Sequence, residues 1–353
     1  MTLTDYSPLT RPVSPDEVRQ FRHWAKTSGW IGTTRAAVSA LQVVVIVIVA
    51  AVAFSVFASF LSFSVSLATH GTAAEGPVAA LLPLVLFGVV AGLAVTAWRG
   101  WNGTPATWEK RLRLREFAAA RSSTYTGVIA APPYPGMIFG IGTSRQAYDS
   151  VRADTGRALD VGNYRYTVKQ GKSSTTYRWG YVALRLDRRL PHMVLDAASN
   201  NLLFGSNLPR SFEKDSVLSL EGDFDRYFTL YCPPEYGRDA LYVFTPDLMA
   251  LLIDESSAFD VEIVDDWMFV YSTRPFDLLQ PSVWQRLDRI VQTVGSKTLD
   301  QTRLYSDERV ADRTLNIVAP QGQRLRRGVA PGAVVFAIVA LAWLGFNLWR
   351  TFS

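Results

Sequence analysis

The side chains able to do chemistry in this 353-residue chain are mainly carboxylates, gathered in the strings Glu221-Gly222-Asp223-Phe224-Asp225 and Asp260-Val261-Glu262-Ile263-Val264-Asp265-Asp266. Along a strand, residues two apart share a face, so Asp223 with Asp225, and Asp260 with Glu262, can converge as an acid–base pair or as oxygen ligands for a divalent cation. Solvated strand faces and turn aspartates account for the same pattern without chemistry. The other constellations fail on spacing. His23, His70 and His192 are the three histidines and stand in no HExxH or Cys/His ligand pattern. No GxSxG string occurs, and the single cysteine, Cys232, sits between Tyr231 and Pro233-Pro234 as a small buried hydrophobe would. Gly171-Lys172-Ser173 lacks the glycine a phosphate loop needs five positions earlier, where Tyr166 stands, and reads as a hairpin turn. Gly136, Gly140 and Gly142 give GxxxGxG rather than a dinucleotide fingerprint. No catalytic, cofactor-binding or metal-binding residue is therefore assigned, and no cofactor is expected.

Charge excludes one partner class. The formal net charge is +5, yet residues 122–323 hold 21 basic against 25 acidic side chains, so no basic stripe marks a nucleic-acid surface. The excess positive charge sits beside three uncharged apolar runs, Ala37 to Phe63, Val78 to Trp98 and Val329 to Trp349. Each is long enough for the roughly 30 Å hydrocarbon layer, and each reads as a transmembrane helix. Arginine and lysine flank the runs at Arg11 to Arg35, Arg99 to Arg121 and Arg324 to Arg327, whereas residues 69–77 have none. The positive-inside rule then places the N-terminus and residues 99–328 in the cytoplasm and a short C-terminal tail outside, a multi-pass protein of the cell membrane. Gly88 and Gly92 form a small-xxx-small step that suits a homo-oligomer contact.

The elements that must position the carboxylates follow from pattern. Ser14-Pro15-Asp16-Glu17 starts an amphipathic helix from about Pro15 to Lys26, suited either to a lipid leaflet or to packing on the folded domain. Thr104-Pro105 starts a basic helix to about Arg121 whose arginines suit anionic headgroups. From Gly136 the chain turns β-rich. Met137–Phe139, Asn163–Val168, Thr175–Leu186 and Met193–Leu195 read as a meander, followed by strands Tyr227–Tyr231 and Leu241–Phe244. Thr245-Pro246-Asp247 starts a helix to about Ser256. Phe259–Val264 and Trp267–Tyr271 read as a hairpin across Asp265-Asp266, and Pro281 precedes a helix over Ser282–Thr293.

The resulting fold class is an α+β soluble domain, an antiparallel sheet with helices on one face, plus three transmembrane α-helices. The divisions are 1–36 (cytosolic segment with the amphipathic helix), 37–98 (two-helix transmembrane hairpin), 99–135 (basic juxtamembrane helix and linker), 136–295 (α+β cytosolic domain), 296–328 (connector) and 329–349 (third transmembrane helix).

Three strings, Leu220-Glu221-Gly222-Asp223-Phe224-Asp225 through Tyr231, Asp239-Ala240-Leu241-Tyr242-Val243-Phe244-Thr245-Pro246 through Leu252, and Phe259 through Phe269, resemble in their order a widespread family of uncharacterised bacterial membrane proteins, in its actinobacterial type. The resemblance covers mainly 160–272. It departs in the third apolar run and in Leu190–Asp196. What it implies is N-terminal membrane helices joined to a cytosolic α+β domain of unknown function, with no catalytic residues to carry over. The function expected is an interaction module for a protein or a lipid, with the lipid bilayer, a cytosolic or membrane protein and a second copy through Gly88/Gly92 as partners, and no nucleic acid. Trp179, Trp267 and Tyr236 are the first aromatics to examine for exposure. The alternative is a membrane-anchored, divalent-cation-dependent hydrolase using acidic residues of 221–225 and 260–266, which requires those carboxylates to converge with no neutralising partner.

Overall fold

The computed structural model describes residues 5–30, 104–153, 156–171, 173–201, 206–220 and 222–328, with single positions between 54 and 92 and at 343. The chain folds as two compact units, one of residues 1–11 and 113–353, the other of residues 12–112.

In the smaller unit, the Ser14 hydroxyl accepts from the Glu17 N–H while the Glu17 carboxylate accepts from the Ser14 N–H, and this reciprocal cap opens the helix Pro15–Thr27. Phe21 and Ala25, one turn apart, are buried with Trp108 and Leu112. The Arg22 and Arg111 guanidinium groups lie 5.9 and 4.9 Å from the centre of the Trp108 ring. The apolar stripe of the N-terminal helix and the Trp108 side of the basic helix Pro105–Ala120 thus bury each other.

The larger unit is built on a seven-stranded antiparallel sheet. Strands β1 (Thr124–Ala130), β2 (Thr143–Ala153), β3 (Leu159–Gln170) and β4 (Ser173–Ala197) form a meander, and β5 (Val217–Leu218), β6 (Phe228–Tyr231) and β7 (Asp260–Ser272) complete it. The β3–β4 hairpin closes at Gln170 opposite Ser173, where Gly171 takes the positive φ that a two-residue turn demands. β4 carries β3 and then β6 on one edge and β7 on the other.

Alternation sorts the side chains of β4 and β7. Val182, Leu184, Met268 and Val270 are buried on one face. Against it lies the wider turn Val291–Gly295, which joins the helix Pro281–Ile290, with Trp284, Leu287 and Ile290 buried at helical spacing, to the helix Ser296–Thr302. A Cβ on Gly295 would stand 2.8 Å from Leu184 Cδ2, so glycine permits that approach. On the opposite face Tyr164, Trp179, Tyr181, Val264, Phe269 and Tyr271 pack around Met137, Ile138 and Phe139.

Several expectations are corrected. Met137–Phe139 is a buried turn rather than a strand, because its backbone is fastened by side chains, Arg145 and the Tyr164 hydroxyl both donating to the Phe139 carbonyl. Leu241–Phe244 is no strand; Gly237–Val243 is a helix that buries Ala240 and Val243 three apart. The hairpin at Asp265-Asp266 is instead one continuous strand, bent at Asp265 where φ is 54°. Pro191 does not end a strand but lies inside β4, at the point where the pairing with β7 slips between Leu190 and Met193, which is where a sheet tolerates a missing N–H.

The α+β sheet with helices stands, and the three-span part of the fold class does not. Among the described residues no helix is long and apolar enough to cross a membrane. The runs 37–63, 78–98 and 329–349 lie, single positions apart, outside the described residues. The transmembrane helices, and the multi-pass cell-membrane placement built on them, are not retained. The basic helix also differs from a headgroup anchor at its end, where Arg121 donates to both oxygens of Asp288 at 2.6 and 2.8 Å.

Candidate functional site

Beyond its bend, β7 presents Asp260, Glu262 and Val264 to the face that carries Tyr271, and β4 presents His192, Val194 and Asp196 beside them. Period-two alternation in both strands therefore sets four polar side chains on one buried surface, with Glu262 and Asp260 fully buried and Asp196 and His192 nearly so. Burying such groups is unfavourable unless each finds a partner.

Glu262 is fully provided for. Its Oε2 accepts from the Tyr271 hydroxyl at 2.6 Å and from the Met137 N–H at 2.7 Å. Its Oε1 lies 2.8 Å from His192 Nε2. His192 Nδ1 accepts from the Leu325 N–H at 3.0 Å, so the ring proton available to Glu262 is the one on Nε2. Burial and the neighbouring carboxyl hold the Tyr271 hydroxyl well above the usual phenol range, which keeps it a donor.

Asp260 and Asp196 are different. Asp260 Oδ1 accepts from the Ala197 N–H at 2.9 Å and from Asn200 Nδ2 at 3.0 Å, but its Oδ2 has no partner. Asp196 Oδ1 and Asn200 Oδ1, both buried atoms, also lack one. Burial pushes the Asp260 carboxyl up to about 7, with the Asp196 charge adding to it, against the pull of the Ala197 and Asn200 hydrogen bonds. Burial raises Asp196 as well, opposed by Ser206 and Asn201.

The remaining acidic candidates do not join this surface. Asp265 is held by Arg324 at 2.8 and 3.1 Å, and Asp266 pairs with Arg185. Asp225 accepts from the Leu220 N–H and from the Ser219 hydroxyl, Asp223 is exposed, and Glu221 lies outside the described residues. Of the described members of the 221–225 and 260–266 segments, Asp260 and Glu262 share the buried face, with Glu262 fully hydrogen-bonded, while Asp265 and Asp266 are paired to arginine and Asp223 and Asp225 do not join them; the unneutralised convergence that a hydrolase of these segments requires is not formed among them. Among the described residues no three His, Cys, Asp or Glu side chains group as a metal site. Cys232 is buried, its thiol pushed up to about 11 by burial. Trp179 and Tyr236 are core residues and Trp267 is half-buried in the aromatic cluster. Gly88 and Gly92 are exposed helical positions, and His70 lies outside the described residues. Sequence reasoning missed Asp196 and Asn200; the signal was the alternation of His192 and Asp196 around Val194 within an otherwise apolar stretch.

A second feature lies at the surface. β4 bulges at Asp187-Arg188-Arg189, between its pairings at Arg185 and Leu190. Two segments bracket the bulge. Arg188 Nε donates to the Arg303 carbonyl at 3.3 Å, and the Arg189 N–H donates to Asn316 Oδ1 at 2.8 Å. The neighbours of those contacts, Leu304, Leu315 and Ile317, are large apolar side chains left 76%, 50% and 42% exposed. Asp187 is paired with Arg157, and the Arg188 and Arg303 charges also act on it; Arg188, Arg189 and Arg303 make no ion-pair contact among the described residues.

No protein-family model and no curated protein matches the chain. Among solved structures, the crystal structure of the mycobacterial trehalose monomycolate transport factor A, TtfA, is similar at a TM-score of 0.37 and 14% identity, over 54% of this chain and 92% of that one. The likeness is too distant to carry a function across.

Proposed function

We propose that the chain is an interaction module whose α+β domain docks on an anionic lipid surface through the β4 bulge. The observation that supports this reading is the juxtaposition of exposed Leu304, Leu315 and Ile317 with Arg188, Arg189 and Arg303. Large exposed apolar side chains are costly in water and gain by entering the boundary between headgroups and acyl chains. Arginines beside them gain about 1 kcal/mol each near an anionic leaflet. Leu315 and Ile317 are two apart, and Asn316 between them is tied to β4 through both its amide groups, donating to the Asp187 carbonyl and accepting from the Arg189 N–H. The apolar pair is thereby held beside the β4 bulge.

The test is local to the face. Full-length protein with Cys232→Ser carries a polarity-sensitive fluorophore on Leu315→Cys and is titrated with phosphatidylglycerol or phosphatidylcholine vesicles. Docking predicts a blue shift with the anionic vesicles, lost in high salt and in the Arg188→Glu/Arg303→Glu variant. An unchanged spectrum with anionic vesicles rejects the reading.

A further inference from the structure

We propose that Asp196, Asp260 and Asn200 bind a calcium ion between β4, β7 and the turn Ala198–Asn200. Three oxygens at this place, Asp196 Oδ1, Asp260 Oδ2 and Asn200 Oδ1, are buried without a partner. Such atoms are rare in folded proteins. The three side chains are neighbours: Leu195 pairs with Val261, which makes Asp196 and Asp260 the next cross-strand pair, and Asn200 donates its Nδ2 to Asp260 Oδ1 at 3.0 Å.

A single proton shared by the two aspartates is the competing way to relieve their repulsion. A shared proton leaves the Asn200 oxygen unexplained, whereas a hard cation accepts neutral amide oxygens as ligands alongside carboxylates. Among the described residues Asp265 and Asp266 each pair with an arginine, whereas no basic side chain forms an ion pair with Asp196 or Asp260. Calcium fits better than magnesium, because magnesium keeps most of its water while calcium accepts a flexible shell of protein oxygens with a few waters. The amide oxygen of Asn200 takes the place of the third carboxylate. The ion would pin the 198–200 turn to both strands.

The experiment uses full-length protein freed of metal with EDTA and then transferred to chelator-free buffer. Calcium is expected to raise Tm, and terbium is expected to luminesce on excitation of tyrosine, because the Tyr231 and Tyr271 phenols lie near the aspartates. Asp260→Asn and Asn200→Ala should each abolish the calcium response, and Asn200→Asp should tighten binding by adding a charged ligand. If Asp260→Asn fails to fold, the Asn200 pair and the wild-type titration decide. A wild-type Tm and terbium emission unmoved by the ions overturn the proposal, as does a response that survives both Asp260→Asn and Asn200→Ala.

Discussion

Tyr271 donates its hydroxyl to Glu262 at 2.6 Å although the two stand nine positions apart on one strand. A straight strand of that length spans about 30 Å. The contact therefore requires β7 to fold over, and the bend lies at Asp265, where the backbone is left-handed and the β4 partner strand bulges. The aromatic face of the sheet closes on itself there, around the Met137 turn.

That closure predicts a coupled pair of mutations. Tyr271→Phe deprives a buried carboxyl of one of three donors and should cost about 1.5–3 kcal/mol. A Cβ on Gly136 would stand 2.2 Å from the Tyr271 oxygen, so Gly136→Ala should cost about 1–3 kcal/mol by overpacking. Removing the hydroxyl relieves that clash. The double mutant, measured by urea denaturation, should be more stable than the sum of the single losses; strict additivity would show that the two groups do not touch.

The bend itself can be tested by the shape of one side chain. Asp265 tolerates a positive φ because its short polar side chain can, and it is also held by Arg324. Asp265→Asn should be nearly neutral at the backbone and lose only the exposed ion pair, about 0–1 kcal/mol. Asp265→Val should lose about 1–3 kcal/mol more through strain. Equal denaturation midpoints for the two variants would contradict a left-handed bend.

His192 couples the buried face to the segment around Leu325, so its loss should be felt there. In His192→Leu both Glu262 Oε1 and the Leu325 N–H lose their partner, at about 1–3 kcal/mol for each group. Hydrogen exchange should then accelerate at Leu325 and at Gly328, whose N–H bonds the Ser211 carbonyl. Exchange at Leu325 as slow as in wild type would mean that the ring does not hold the segment.

Local chemistry made much of this legible and long-range pairing hid the rest. The Ser14 cap, the Pro281 helix start and the Gly171 turn were readable because each is settled by neighbouring residues. Leu241-Tyr242-Val243-Phe244 misled because β-branched and aromatic content does not report the helical burial of Ala240 and Val243, a tertiary matter. Asp265-Asp266 looked like a turn; a bulge in a partner strand more than 70 residues upstream made it a bend. The sharing of a face by Asp260 and Glu262 was visible from spacing, but the opposed fates of the two were not. Met137 and His192 come to Glu262 from separate parts of the chain and Tyr271 across the bend of its own strand, and nothing in the FDVEIVDD string announces them.

The Asp260 carboxyl, raised to about 7 in the fold against about 4 in an unfolded chain, gives the metal-free protein a definite pH dependence. The folded state holds this proton more tightly than the unfolded one, so stability from the site is complete below about pH 4 and falls as pH rises through 7. The span is on the order of 3–4 kcal/mol, with Asp196 shifted in the same sense. In EDTA, the urea midpoint of the wild type should therefore drop between pH 5 and 8, while Asp260→Asn, which cannot titrate, should drop far less. Calcium reverses the trend, because the cation needs both carboxylates deprotonated: its apparent affinity should rise through the same interval and offset the loss at pH 8. A wild-type midpoint that instead climbs from pH 5 to 8 in EDTA would mean that Asp260 is ionised in the fold, with a neutralising group already beside it.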